Sequence, residues 1–153
     1  MALALAKSPS TNSQMAGYSG TPLVKKLGIK ENSQIAFVNA PAGFVNKLDL
    51  PKGVKINARA SKPLDFIQLF ARSKRELETR FPLQAAKLKP TGMLWISWPK
   101  KSSGVVTDLN DNIVRDIGLA NGLVDVKVCA VDDVWSGLKF VFRLKDRATL
   151  GSR

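Results

Sequence analysis

The sequence predicts an α/β domain: a single mostly parallel sheet of about six strands, helices on both faces, and an antiparallel pair at the C-terminal end. Short apolar runs alternate with helix-like periods from residue 34 to residue 120, the pattern of parallel strands joined by helical crossovers. Two of the runs, Asp65–Ala71 (DFIQLFA) and Met93–Trp98 (MLWISW), are apolar at nearly every position, as in strands buried on both faces. The last two runs, Leu123–Val131 and Leu138–Leu144, are separated only by Asp132–Gly137, short enough for antiparallel pairing. At 153 residues, 44% hydrophobic and 24% charged, the chain has the size and composition of one folded domain.

Along the chain, residues 1–20 are rich in Ser, Gly and Ala, lack acids and read as a flexible N-terminal arm. Ala2–Ala6 is too short for a signal-peptide core and Lys7 follows it, so secretion is not expected; Met15 is a candidate natural start. The α/β domain is placed at 21–147 and a tail at 148–153. Thr21 is positioned to cap a first helix, with Pro22 at its first position, Leu23, Val24 and Leu27 as an apolar stripe and Gly28 as its stop. Gln34–Ala40 reads as a strand ended by Pro41 and Gly43, Phe44–Leu48 as a helical turn or two, and Val54–Ala58 as a weaker strand. Ser73 and Glu76 have capping-box spacing and open a helix carrying Leu77, Phe81, Ala85 and Leu88. Pro82 is expected to kink or divide it, and Lys89-Pro90-Thr91-Gly92 to end it. Thr107 or Asp108 is expected to cap a helix with Leu109, Ile113, Ile117 and Ala120 in one stripe, closed by Asn121-Gly122. Residues 145–153 read as a charged, fraying tail.

Composition excludes several chemistries. There is no histidine and only one cysteine, Cys129. Imidazole bases, Ser-His or Cys-His nucleophiles and His-ligated metals are therefore absent, and no metal site is expected. Cys129 sits in an alternating strand and reads as a small buried filler. No apolar run approaches the roughly 20 residues of a membrane-spanning helix, and a cytoplasmic location is expected. The net charge is +12, and residues 1–101 hold 17 Lys/Arg against 5 Asp/Glu, while residues 102–153 hold 7 of each. Such asymmetry points to an anionic partner: a phosphate-bearing small molecule, a nucleotide or a nucleic acid, or else simply a solvated basic surface. No helix-turn-helix, zinc finger or aromatic RNA-binding motif accompanies it.

The order of motifs carries a resemblance. A strand ends in Asn39-Ala40-Pro41-Ala42-Gly43; Leu64-Asp65-Phe66-Ile67 follows, then a helix, then Leu88-Lys89-Pro90-Thr91-Gly92-Met93-Leu94-Trp95, and an antiparallel pair closes the chain. This resembles the second half of a class I S-adenosylmethionine methyltransferase domain. It is closer still to small bacterial domain-of-unknown-function proteins that look like trimmed versions of that fold. The closer similarity lies in Tyr18–Leu23, Trp98–Gly104, Gly122–Asp132 and Trp135–Phe140. The resemblance implies a Rossmann-like sheet, with S-adenosylmethionine as the cofactor such a fold would carry and Asp132, Asp65 or Tyr18 as the base of an enzymatic version. The residues depart from that pattern. The first turn has one glycine and a proline without an amide, where close approach of backbone to a cofactor calls for glycines. At the second strand's end, Ile56-Asn57-Ala58-Arg59-Ala60 offers Arg59 where an acid would hold ribose hydroxyls. Only about 24 residues separate Ala40 from Asp65, so one strand–helix unit is expected to be missing.

Ligands of open parallel sheets bind outside the carboxyl ends of the strands. That rim is expected to collect Asn39, Pro41 and Gly43, then Arg72 and Ser73, then Trp98, Lys100 and Lys101, and finally Asp132 and Trp135. Helices starting near Ser73 and Thr107 would add amide donors there. Lys100-Lys101-Ser102-Ser103-Gly104 has the parts of an anion cradle, although it lacks P-loop order and reads equally as a solvated connection. Trp95 reads as core, and Trp98 as core or a stacking platform. Trp135, expected in a loop, is the aromatic most in need of a role. Asp132-Asp133 reads as a turn or a cation site. The leading expectation is a methyltransferase-like domain that binds an anionic small molecule or nucleotide at this rim. Nucleic-acid binding through the basic surface and S-adenosylmethionine-dependent methyl transfer are the alternatives.

Overall fold

In the computed structural model, which describes residues 22–57 and 63–151, six strands form one sheet. They are β1 (Gln34–Val38), β2 (Lys55–Ile56), β3 (Leu64–Phe70), β4 (Leu88–Pro99), β5 (Leu123–Ala130) and β6 (Trp135–Phe142). The order across the sheet is β2-β1-β3-β4-β6-β5. The first three pairings are parallel, and β6 runs antiparallel to both β4 and β5. The mostly parallel α/β sheet with a terminal antiparallel pair is therefore as the sequence predicts. Expectations for residues 1–20, Thr21, Ala58 and Arg59 lie outside the described residues.

The helices are α1 (Leu23–Leu27), α2 (Lys74–Ala85), α3 (Asp111–Ala120) and α4 (Leu144–Gly151). One face of the sheet, with Ile67, Leu69, Leu94, Ile96, Trp98 and Phe140, packs under Leu77, Phe81 and Ala85 of α2 and Val114 and Ile117 of α3. On the other face Ile35, Phe66 and Trp95 lie under Val24 and Leu27 of α1. The Trp95 indole donates to the Leu27 carbonyl at 2.8 Å, which locks α1 onto β4. Trp95 and Trp98 thus occupy opposite faces, as their spacing requires.

Several local expectations are corrected. Pro22 is the N-cap of α1, extended at ψ 144°, and its carbonyl accepts from Lys25 and Lys26. The segment Leu88–Gly92 does not end a helix but belongs to β4. Leu64 pairs with Leu88 and Phe66 with Met93, so extra residues bulge out of β4 around Pro90, where a missing amide breaks no ladder bond. Pro82 lies inside one unbroken helix. It falls in the last turn, where one backbone bond is lost while Phe81 and Ala85 keep the helix seated. β6 starts at Trp135 and not at Leu138, and the tail after Phe142 is the helix α4, whose Leu150 packs against the core.

Candidate functional site at the strand-end rim

β1, β3 and β4 run parallel, so they deliver Asn39, Arg72 and Lys100 to one edge. Because β6 is antiparallel to β4 and β5, Asp132 and Trp135 reach the same edge. Strand order reverses between β1 and β3, since the chain leaves β1 for β2 on one side and returns to β3 on the other. The crevice outside that reversal is where open α/β sheets take ligands.

An aromatic chain fills the crevice floor. Phe44, buried at 8% exposure, meets Phe70 edge to face at 4.9 Å, and Phe70 meets Trp135 at 5.0 Å. The Arg72 guanidinium lies 5.4 Å above the Trp135 ring. Trp135 is thus a buried strand residue with a cation on its face, not a loop indole. Trp98 is buried against α2 and α3 on the other face, so it does not join the rim as a stacking platform.

Several main-chain donors of the rim already have acceptors within the protein. Glu76 accepts from the Arg72 amide at 2.9 Å with one carboxylate oxygen, and from the Asn39 side chain at 3.4 Å with the other. It therefore reaches one residue further back than a capping box requires and ties the β1 and β3 exits together. Ser73 Oγ accepts from the Glu76 amide at 3.1 Å, as its spacing predicts. Asp108 accepts from the Lys74 amide at 2.7 Å, and Thr107 donates its hydroxyl to the Arg72 carbonyl at 2.6 Å. These two residues do not cap α3, because they bind the 99–110 connection to the start of α2; Asn110 caps α3 by accepting from Ile113. The Lys74 and Glu76 amides of α2 and the Asn112 and Ile113 amides of α3 thus meet protein side chains. Asp132 Oδ1 accepts from the amides of Val134 and Trp135, both at 2.8 Å, a turn built by an aspartate.

The Lys100–Gly104 stretch folds on itself. Lys101–Ser103 form a 3-10 turn, Ser103 Oγ donates to the Lys100 carbonyl at 2.6 Å, and Gly104 ends the turn at φ +78°. Ser103 thereby fails as a cradle donor, while Lys101, Ser102 and Gly104 stay exposed and Lys100 is half-buried. In the first turn Asn39 sits at φ +60° and Gly43 at φ +81°, and the Pro41 carbonyl accepts from the Phe44 amide at 3.0 Å. Sequence reasoning missed the tying roles of Glu76, Thr107 and Asp108 and the burial of Phe44. It also missed an open cleft of about 490 Å³ at the opposite strand edge, where Lys30, Asn32, Asp65, Lys89 and Thr91 meet. Asp65, one of the three bases an enzymatic version would use, lies there bound to Lys89 at 2.8 Å, away from the rim; Tyr18 lies outside the described residues.

No protein-family profile and no curated protein matches the chain. Solved structures do. Magnesium protoporphyrin IX methyltransferase from Synechocystis PCC 6803, with bound S-adenosylmethionine, superposes with a TM-score of 0.53 at 10% identity, over 79% of this chain and 74% of that one. The fibrillarin pre-rRNA processing protein of Methanococcus jannaschii gives 0.56 at 14% identity, over 74% and 68%. A SAM-dependent methyltransferase from Aquifex aeolicus gives 0.54 at 18%, over 77% and 86%. The chain has a methyltransferase-like fold.

The residues here depart from a glycine-rich turn and an acidic strand end that would hold S-adenosylmethionine. The first turn holds Pro41 and packs Phe44 into the crevice, and no Asp or Glu occurs between Asp49 and Asp65 to hold ribose hydroxyls.

Proposed function

We propose that this methyltransferase-like domain binds an anionic small molecule, a nucleotide or related phosphate ester, at the strand-end rim. The observation that carries the reading is Arg72, fixed over Trp135 beside the switch point. A guanidinium held on an aromatic face presents planar donors suited to phosphate oxygens. Lys100 and Lys101 would add charge from the next connection, with Ser102 and Gly104 beside them. The Asn39–Gly43 turn, Ser73 and the Asp132 turn would form the walls. Binding would run chiefly through side-chain cations, since the amides of Arg72, Lys74 and Glu76 already meet protein acceptors. The reading stops at binding, because Glu76, Asp108 and Asp132 are each committed to backbone amides. No helix among the described residues is long and apolar enough to cross a membrane; a cytoplasmic setting is part of the proposal.

Differential scanning fluorimetry with ADP and pyrophosphate tests this. At ten times its dissociation constant a ligand stabilises by about 1.4 kcal/mol, raising Tm by about 3–5 °C at this length. The shift should vanish in Arg72→Ala with Lys100→Ala. An equal shift in that variant, or none in the unaltered protein, would overturn the reading.

A further inference from the structure

Away from the rim, four lysines from three parts of the chain gather on the face of the sheet that carries α1. Lys127 of β5 stands directly opposite Lys139 of β6 in the antiparallel register. Lys139 is in turn paired with Trp95 of β4, whose indole is bonded to α1. The Lys127 ammonium donates to the Lys26 carbonyl in the last turn of α1 at 3.1 Å. Lys30, just beyond α1, is close enough to act on Lys139: burial first, then the Lys127 and Lys30 charges, hold the Lys139 ammonium below its ordinary pKa.

Like charges directly opposite in an antiparallel ladder destabilise it, and Asp125 and Asp65 have their ion pairs elsewhere. Asp125 is turned to the helical face, bound to Arg115 at 2.9 Å, and Asp65 is bound to Lys89. Glu31 shares its cleft with Lys30, so the uncompensated pair is Lys127 and Lys139. A concentration of ammoniums that costs stability within the domain is relieved by external phosphates.

We propose that Lys26, Lys30, Lys127 and Lys139 form a sequence-independent docking surface for the phosphodiester backbone of nucleic acid. Lysines are flexible point charges, suited to tracking phosphates without reading bases. The net charge of +12 adds the long-range attraction such binding uses. The surface is separate from the rim and does not depend on the ligand proposed there.

Filter binding of a 20-base-pair duplex DNA across a salt series tests it. Four phosphate contacts at about −0.9 each predict a log–log slope near −3.6, about a 100-fold loss of affinity between 50 and 200 mM salt. Lys127→Gln with Lys139→Gln should halve that slope and weaken binding at least tenfold at 50 mM, with Tm unchanged or higher because the repulsion is gone. Lys30→Gln, at an exposed turn, should reduce the slope by about 0.9 and keeps the test independent of the strand variants. Lys100→Ala with Lys101→Ala should leave the slope intact. A slope that follows the rim lysines and ignores Lys127 and Lys139 would overturn the proposal. So would a flat salt dependence, or competition by tripolyphosphate as effective as DNA at equal phosphate concentration.

Discussion

Cys129 faces the α1 side of the sheet, half-buried against the aromatic core. Burial pushes its thiol pKa up, and the Lys26 and Lys127 charges only partly oppose that. The thiol is therefore neutral at pH 7, the filler its strand position suggests. A raised folded value means the contribution to stability is complete below an unfolded thiol's pKa of about 8.5 and is lost as pH climbs through the folded value. Lys139 has the opposite sign, its repulsion easing as pH rises toward its ordinary value, but it is common to both proteins in the following comparison. Urea unfolding of the unaltered chain and of Cys129→Ala at pH 8 and pH 10.5 should show a larger alkaline loss in the unaltered chain. Equal losses would show that burial does not hold the thiol neutral. The Ser73–Glu76 cap was legible because its partners lie three residues apart. The contacts of Asn39 with Glu76, Thr107 with Arg72 and Asp108 with Lys74 span more than thirty residues, and no local pattern announces them.

Among the elements, the buried strands were the clearest to read, because β3 and β4 are apolar on both faces and composition alone marks them. Boundaries failed where a proline had two permitted settings. Pro90 reads as a helix stop but sits in a bulge of β4, and Pro82 reads as a break but sits in the last turn of α2. Trp135 was assigned to a loop because Asp132, Asp133 and Ser136 surround it, whereas its burial against Phe70 pulls it into β6. The apolar stripe of α3 was visible in sequence, but the reason for Gly118 was not. A Cβ there would lie 2.0 Å from the Phe140 ring, so α3 approaches β6 at glycine distance. Alanine is intrinsically the better helix former by about 1 kcal/mol, yet overpacking a filled core costs about 1–3 kcal/mol. Gly118→Ala should therefore lower stability by up to about 2 kcal/mol in urea titration. A gain would mean that α3 moves off the sheet without loss.

For the molecule as a whole, the strand directions alone put four loop exits on one edge, and that much followed from counting parallel strands. What fills the edge did not follow, because burial of Phe44 and capping by Glu76 and Asp108 are tertiary facts. Their combined effect separates this chain from its fold neighbours. A cofactor-binding turn must leave amides free and the crevice open, but here Pro41 removes one amide, Phe44 seals the floor onto Phe70, and Asp108 and Glu76 hold the donors beside α2. Of the cationic side chains above that floor, Arg72 and Lys101 are exposed to solvent and Lys100 is half-buried. S-adenosylmethionine carries no phosphate, and its single carboxylate is outweighed by an ammonium and a sulfonium, so it gains less from Arg72, Lys100 and Lys101 than the diphosphate of ADP does. At a concentration equal to its dissociation constant a ligand stabilises by about 0.4 kcal/mol, or about 1 °C in Tm for a domain of this size. S-adenosylmethionine at 1 mM should therefore shift Tm by less than 1 °C while ADP at 1 mM shifts it by more. A larger shift from S-adenosylmethionine would mean that the Phe44 floor opens to admit the cofactor, which would overturn the preference for a phosphate ester at this rim.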